Sequence, residues 1–118
     1  FDRDPGAIRM ASENAARAGV SECTTFAQQS IEDLTPPEGP PGLVIVNPPY
    51  GTRVGEKGPL IGLHRTLGTV LKTRFSGWRV GIVTADRQLA QATGLGFDPP
   101  MPPVLHGGIR VGLYRSRL

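Results

Sequence analysis

Cysteine is almost absent: Cys23 stands alone in 118 residues. A lone thiol excludes an internal disulfide and any multi-cysteine zinc site. Its expected place is a buried strand edge. Long apolar runs are missing as well. No stretch approaches the roughly 20 residues that a membrane helix needs, and no charged leader followed by an apolar segment opens the chain at Phe1. The expectation is a soluble, cytoplasmic protein. A chain of this length with 38% hydrophobic residues can bury one modest core, which predicts a single unit without repeats or a low-complexity tail.

Acidic residues thin out after position 50, while Arg53, Lys57, Arg65, Lys72, Arg74 and further arginines up to Arg117 accumulate there. The net charge of +3 permits a nucleic-acid partner, and its distribution predicts a basic face in the second half. Taken singly these cations form a solvated surface; together they suit an RNA backbone.

The elements follow from capping and periodicity. Asp4 reads as an N-cap with Pro5 at the first helical position, and Ile8, Ala11, Ala15 and Ala18 recur at helical spacing up to Gly19. Residues 22–27 have the threonine and aromatic content of a short strand, and a proline- and glycine-rich turn covers 36–42. Leu43, Val44, Ile45 and Val46 form a β-branched run of the kind buried on both faces of a parallel sheet. Leu60, Leu63, Leu67, Val70 and Leu71 then mark an amphipathic helix with His64 off the stripe. A strand over 79–84, a short helix over 86–93 and strands near Val104 and over 109–114 complete the pattern. The order predicts an α/β fold: a doubly wound, Rossmann-like sheet, mostly parallel, closing in an antiparallel hairpin.

The chemistry follows the strand over 43–46. Open α/β sheets bind ligands beyond the carboxyl ends of their strands, and Asn47-Pro48-Pro49-Tyr50-Gly51 occupies that place. Two prolines remove two amide donors and stiffen the turn, leaving carbonyl oxygens and the Asn47 amide oxygen as acceptors. An exocyclic amine on guanine or adenine is a weak nucleophile because its lone pair is delocalised into the ring. Acceptors that grip its two hydrogens favour the pyramidal form able to attack. Tyr50 adds a ring on which a base taken out of its helix can stack. The same residues also serve as ordinary turn chemistry, with Tyr50 packing a loop.

Asn47-Pro48-Pro49-Tyr50 resembles the fourth motif of class I amino-methyltransferases, which act on adenine N6 in DNA, glutamine N5 in proteins or guanine N2 in RNA. The longer run from Val46 through Gly51-Thr52-Arg53, with Leu60-Ile61-Gly62-Leu63-His64 and Phe75-Ser76-Gly77-Trp78, is similar to the bacterial 23S ribosomal RNA guanine-N2 methyltransferases, built with an RNA-binding THUMP domain. Phe1-Asp2-Arg3-Asp4, Ala11, Asn14-Ala15 and Ala18-Gly19-Val20 resemble that family's second motif. The resemblance implies S-adenosylmethionine as cofactor and 23S ribosomal RNA as partner. Asn47, Pro48, Pro49 and Tyr50 are implied as catalytic residues, and Asp2, Gln29, Ser30 and Asn47 as cofactor-binding ones, Asp2 on the ribose hydroxyls. A carboxylate accepting from two hydroxyls makes physical sense independently.

Ser30 departs from the pattern: it stands where the family places an aspartate that accepts from the adenine amine. Gln29 or Asp33 could compensate. The family's cofactor-binding glycine loop is also missing, so residues 1–118 are expected to form the C-terminal part of a catalytic domain. Such a piece should be inactive alone, expose an apolar edge at residues 43–46 and self-associate. The alternatives are an adenine-N6 DNA methyltransferase and a non-catalytic RNA-binding module. His64 and His106 are expected in structural or exposed roles, Gly107-Gly108 in a tight hairpin turn, and Trp78 packed at the start of a strand.

Overall fold

The computed structural model describes residues 1–49 and 57–118, with Lys57 by its backbone alone. The chain divides into two compact units, Phe1–Leu34 and Thr35–Leu118.

In the first unit, helix α1 spans Pro5–Ala18. Asp4 caps it by accepting from the Gly6 amide at 2.8 Å, and Pro5 costs nothing at the first turn because its missing amide would have no helical partner. Gly19 ends the helix at φ 71°, and the Val20 amide reaches back to Ala15 O at 3.0 Å, a Schellman closure that needs a left-handed residue. Residues 22–27 do not form the expected strand. Ser21–Cys23 are a 3-10 turn, and the extended segment after it makes only an isolated parallel bridge, Asp2 to Gln28. Strand content in a sequence becomes a strand only where a ladder partner exists, and here pairing stops after one bridge. Cys23 is exposed rather than buried, because it lies on that 3-10 turn with Sγ donating to Val20 O at 3.3 Å.

The described residues of the second unit form a four-stranded sheet with two helices. Its elements are β1 (Leu43–Val46), α2 (Lys57–Arg74), β2 (Arg79–Thr84), α3 (Arg87–Ala92), β3 (Val104–His106) and β4 (Ile109–Arg117). The strand order is β1-β2-β4-β3. β1 runs parallel to β2, with Leu43 opposite Arg79 and Val46 opposite Ile82; the other two pairings are antiparallel, so the sheet is mixed. The β3–β4 hairpin turns through Gly107 and Gly108 at φ 55° and 81°, the two positive values that a tight two-residue loop demands.

The core lies over the middle of this sheet. β2, flanked on both sides, buries Val80, Ile82 and Thr84; α2 buries Leu67, Val70 and Leu71, and α3 buries Leu89 and Ala90. Each fully buried leucine or isoleucine contributes about 1.5 to 3 kcal/mol. Trp78 packs as expected at the start of β2, edge-on to Phe75 at 5.5 Å. β1 departs from burial on both faces: Leu43 and Ile45 are 50% and 59% exposed, because β1 is the edge of the described sheet and pairs only with β2. Among the described residues no helix is long and apolar enough to cross a membrane.

Candidate functional site

Each unit carries one set of the residues singled out above. In the second unit, Asn47, Pro48 and Pro49 follow β1 directly at its carboxyl end. Pro48 is buried while Asn47 and Pro49 are exposed. The buried ring anchors the turn and Asn47 projects from it, one residue beyond the Val46–Ile82 pair. The parallel neighbour β2 ends at the same side with Thr84, whose hydroxyl oxygen accepts from the Asp86 amide at 3.1 Å. Asp86 in turn caps α3, accepting from Gln88 N at 2.8 Å. Two parallel strands thus deliver polar residues to one edge of the sheet, where side-chain acceptors and loop carbonyls can meet a ligand. Tyr50, with Gly51, Thr52 and Arg53, lies outside the described residues.

In the first unit, Asp2 sits at the end of an extended stretch running parallel to residues 27–29. The Asp2 amide donates to Ala27 O, and the Gln29 amide donates to Asp2 O at 2.9 Å. Asp2 Oδ1 accepts from the Asp4 amide at 2.9 Å, which fixes the carboxylate at the mouth of α1. Gln28 Nε2 ties the same two stretches by donating to Arg3 O at 3.0 Å. Beyond Gln29 the chain turns through a 3-10 turn, Ile31–Asp33. There Ser30 Oγ donates to Asp33 Oδ2 at 2.8 Å, and Gln29 Nε2 donates to Asp33 O at 2.8 Å. Gln29, Ser30 and Asp33 are therefore one hydrogen-bonded group, at the same end of the paired stretches as Asp2.

His64 was expected off the apolar stripe of its helix; it is fully buried instead. Leu60, His64, Leu67 and Leu71 recur at i, i+4, i+7 and i+11, so the histidine belongs to the inward face. Its Nδ1 lies 2.7 Å from Leu60 O, and among the described residues its buried Nε2 has no hydrogen-bond partner. The spacing was the available signal. Among the described residues no group of three or more His, Cys, Asp or Glu side chains could hold a metal ion.

A family model described as "RMKL-like, methyltransferase domain" matches residues 1–98. The chain belongs to this family. Its RMKL-like segment is 43% identical over 98 residues to the ribosomal RNA large subunit methyltransferase K/L of Syntrophotalea carbinolica and 42% identical over 96 residues to that of Allochromatium vinosum. Each alignment takes in 80% of this chain, which spans 14% and 13% of those relatives. The RMKL-like fold also superposes on solved structures. One protein described as a methyltransferase and crystallised complexed with SAH matches at a TM-score of 0.87 and 26% identity, over 98% of this chain and 30% of that one. Another, from Listeria monocytogenes and described as an N6-adenine-specific DNA methylase, matches at a TM-score of 0.78 and 28% identity, over 98% and 28%. The α/β fold expected from the element order, and the class I methyltransferase type implied by the motif resemblance, are thus shared with methyltransferases of known structure.

Proposed function

We propose that this segment belongs to an S-adenosylmethionine-dependent methyltransferase acting on the exocyclic N2 amine of a guanine in 23S ribosomal RNA. The observation that carries the reading is the turn after β1: a buried Pro48 holding an exposed Asn47 at the carboxyl end of a parallel strand. Kinship with the K/L ribosomal RNA methyltransferases supports RNA as the substrate class and the cytoplasm as the place of action.

The residues of the first unit suit the cofactor. Asp2 offers a carboxylate, fixed through Oδ1, to a ribose diol, and the Gln29–Ser30–Asp33 group offers acceptors to an adenine amine. When bound, S-adenosylmethionine supplies an electrophilic methyl group on a sulfonium. Asn47 Oδ1 and the Pro48 carbonyl accept the two hydrogens of the guanine N2 amine, which draws its lone pair out of the ring and aims it. As the N–CH3 bond forms, the S–CH3 bond breaks to leave the neutral thioether, and the methylated nitrogen, now cationic and acidic, gives its proton to water, so neither residue has to act as a base. Pro49 keeps the turn stiff. Tyr50, known here from its place in the motif alone, stacks on the extruded base.

The test is methyl transfer from tritiated cofactor by the full-length protein that carries this segment. Label should enter unmodified ribosomal RNA and be recovered as N2-methylguanine. Label in duplex DNA as N6-methyladenine would establish the reading suggested by the Listeria neighbour instead. RNA binding without any transfer would mark a non-catalytic module.

A further inference from the structure

β4 divides its length between two partners. Residues 112–117 pair with β2, whereas among the described residues Ile109, Arg110 and Val111 pair with β3 alone. The last rung on β2 joins Thr84 to Gly112, and β2 ends there. The β3–β4 hairpin therefore stands beyond the carboxyl end of β2, at the edge of the sheet where Asn47 follows β1. Three residues past Thr84, at about 3.3 Å each, carry its tip roughly 10 Å beyond that edge, and a single strand separates β4 from β1.

The overhang is not core. Val104, Leu105, His106, Ile109 and Arg110 are all exposed, Leu105 at 69% and Val104 at 66%. Leu105 and Arg110 lie directly opposite each other on one face, and alternation puts Val104 and Ile109 on the other, so both faces show apolar side chains. A two-stranded hairpin is marginal by itself. This one is held because β4 runs without a break into its ladder with β2. It is a stiff arm with an apolar tip. Residues 99–118 contain no Asp or Glu, and they carry Arg110, Arg115 and Arg117. That charge favours a polyanion over a second copy of the same hairpin, whose arginines would repel.

We propose that the β3–β4 hairpin is the arm that opens the RNA beside the target guanine: its apolar tip, Leu105 and Ile109, enters the stack that the base leaves, and Arg110 holds a flanking phosphate. The proposal rests on the RNA methyltransferase reading above. A base has to leave its stack to reach Asn47, and an apolar side chain inserted at the opened step offsets part of that cost; leucine and isoleucine are among the residues that proteins use as such wedges. The place suits the task, since a wedge belongs beside the reacting turn and not within it. Arg110, across the hairpin from Leu105, offers a guanidinium that matches phosphate oxygens in pairs.

The experiment is methyl transfer to unmodified ribosomal RNA by the full-length protein and its hairpin variants, with S-adenosylhomocysteine affinity by calorimetry and circular dichroism as the checks on folding. Leu105→Ala combined with Ile109→Ala should lower kcat/KM roughly tenfold to a hundredfold while both checks stay at the parent's values. Leu105→Phe should keep most of the rate, because another bulky apolar side chain fills the gap. Arg110→Ala should weaken RNA binding and flatten the slope of log affinity against log salt by about 0.7 to 0.9, the share of one phosphate. Rates within twofold of the parent in the double alanine variant, or a loss in Leu105→Phe as large as in that variant, overturn the wedge. Altered folding checks in the double alanine variant overturn it too, since these side chains would then serve the fold. A parent whose self-association is abolished by the double change, with methyl transfer unaffected, assigns the tip to a second copy instead. A parent that transfers no label to RNA overturns the substrate reading and this proposal with it, whereas a parent that does so, matched by its variants, overturns the proposal alone.

Discussion

His64 and Asn47 are both polar, and the fold treats them oppositely. His64 Nδ1 faces the Leu60 carbonyl, and among the described residues its buried Nε2 has no hydrogen-bond partner. A buried polar atom in that state costs about 1 to 3 kcal/mol, and leucine fills a similar volume on a helix face that already carries Leu60, Leu67 and Leu71. His64→Leu should therefore raise stability by about 1 kcal/mol, seen as a higher urea midpoint at an unchanged slope. A drop of that size would mean that Nε2 meets a donor in the folded protein. Asn47, exposed on its anchored turn, should behave in the reverse way. Asn47→Ala in the full-length protein should leave the melting temperature nearly unchanged while turnover falls roughly a hundredfold to a thousandfold, the usual loss for one preorganised polar contact. Turnover within threefold of the parent would remove Asn47 from the chemistry.

Between elements, the tightest joint is Gly68 on α2. A β-carbon there would sit 1.8 Å from the Thr93 carbonyl oxygen and 2.6 Å from its carbonyl carbon, so it meets backbone that cannot swing aside. α2 and α3 pack against each other at this point. Gly68→Ala, which usually favours a helix, should instead destabilise by more than about 2 kcal/mol, because the overlap forces the two helices apart. Equal or greater stability in chemical denaturation would show that the joint is loose. Such joints are invisible to periodicity, whereas much of the rest is legible in the chain. Asp4-Pro5 and Gly19 bracket α1, the β-branched run is β1, and His106-Gly107-Gly108-Ile109 is a hairpin, since each signal is local and acts through the backbone of its own residues. The segment over 22–27 was not legible, since the pairing beside it is long-range, Asp2 against Gln28, and no local signal reports it. His64 was misplaced for a related reason: a polar residue at an inward position obeys the helix period, not its own solubility. The Ser30–Asp33 hydrogen bond lay within view as two residues three apart, but only the 3-10 turn between them turns a spacing into a contact.

At the scale of the whole chain, charge and apolar surface are unevenly shared. β1 carries Leu43 and Ile45 half exposed on one sheet face, and Gly81 beside them is bare because a β-carbon there would lie 2.7 Å from Ile45 Cδ1. An apolar edge strand with unpaired backbone groups invites a second strand. The 118-residue chain alone is expected to associate at high micromolar concentration in light scattering, and Ile45→Lys to shift it toward monomer. A parent chain monomeric at all concentrations would refute this. The same strand order sets the tempo of assembly. The hairpin joins residues as few as three apart, His106 and Ile109, whereas β1 must find a partner 36 positions away, Leu43 against Arg79. Hairpins close in about 1 to 10 μs, while long-range parallel pairing waits for the costlier loop to shut. The last pairing made at a sheet's margin is commonly the first released. In dilute native-state hydrogen exchange the amides of residues 43–46 should therefore lose protection through a lower-energy opening than those of residues 79–84, leaving β2 and its hairpin intact while the strand that bears Asn47 comes and goes.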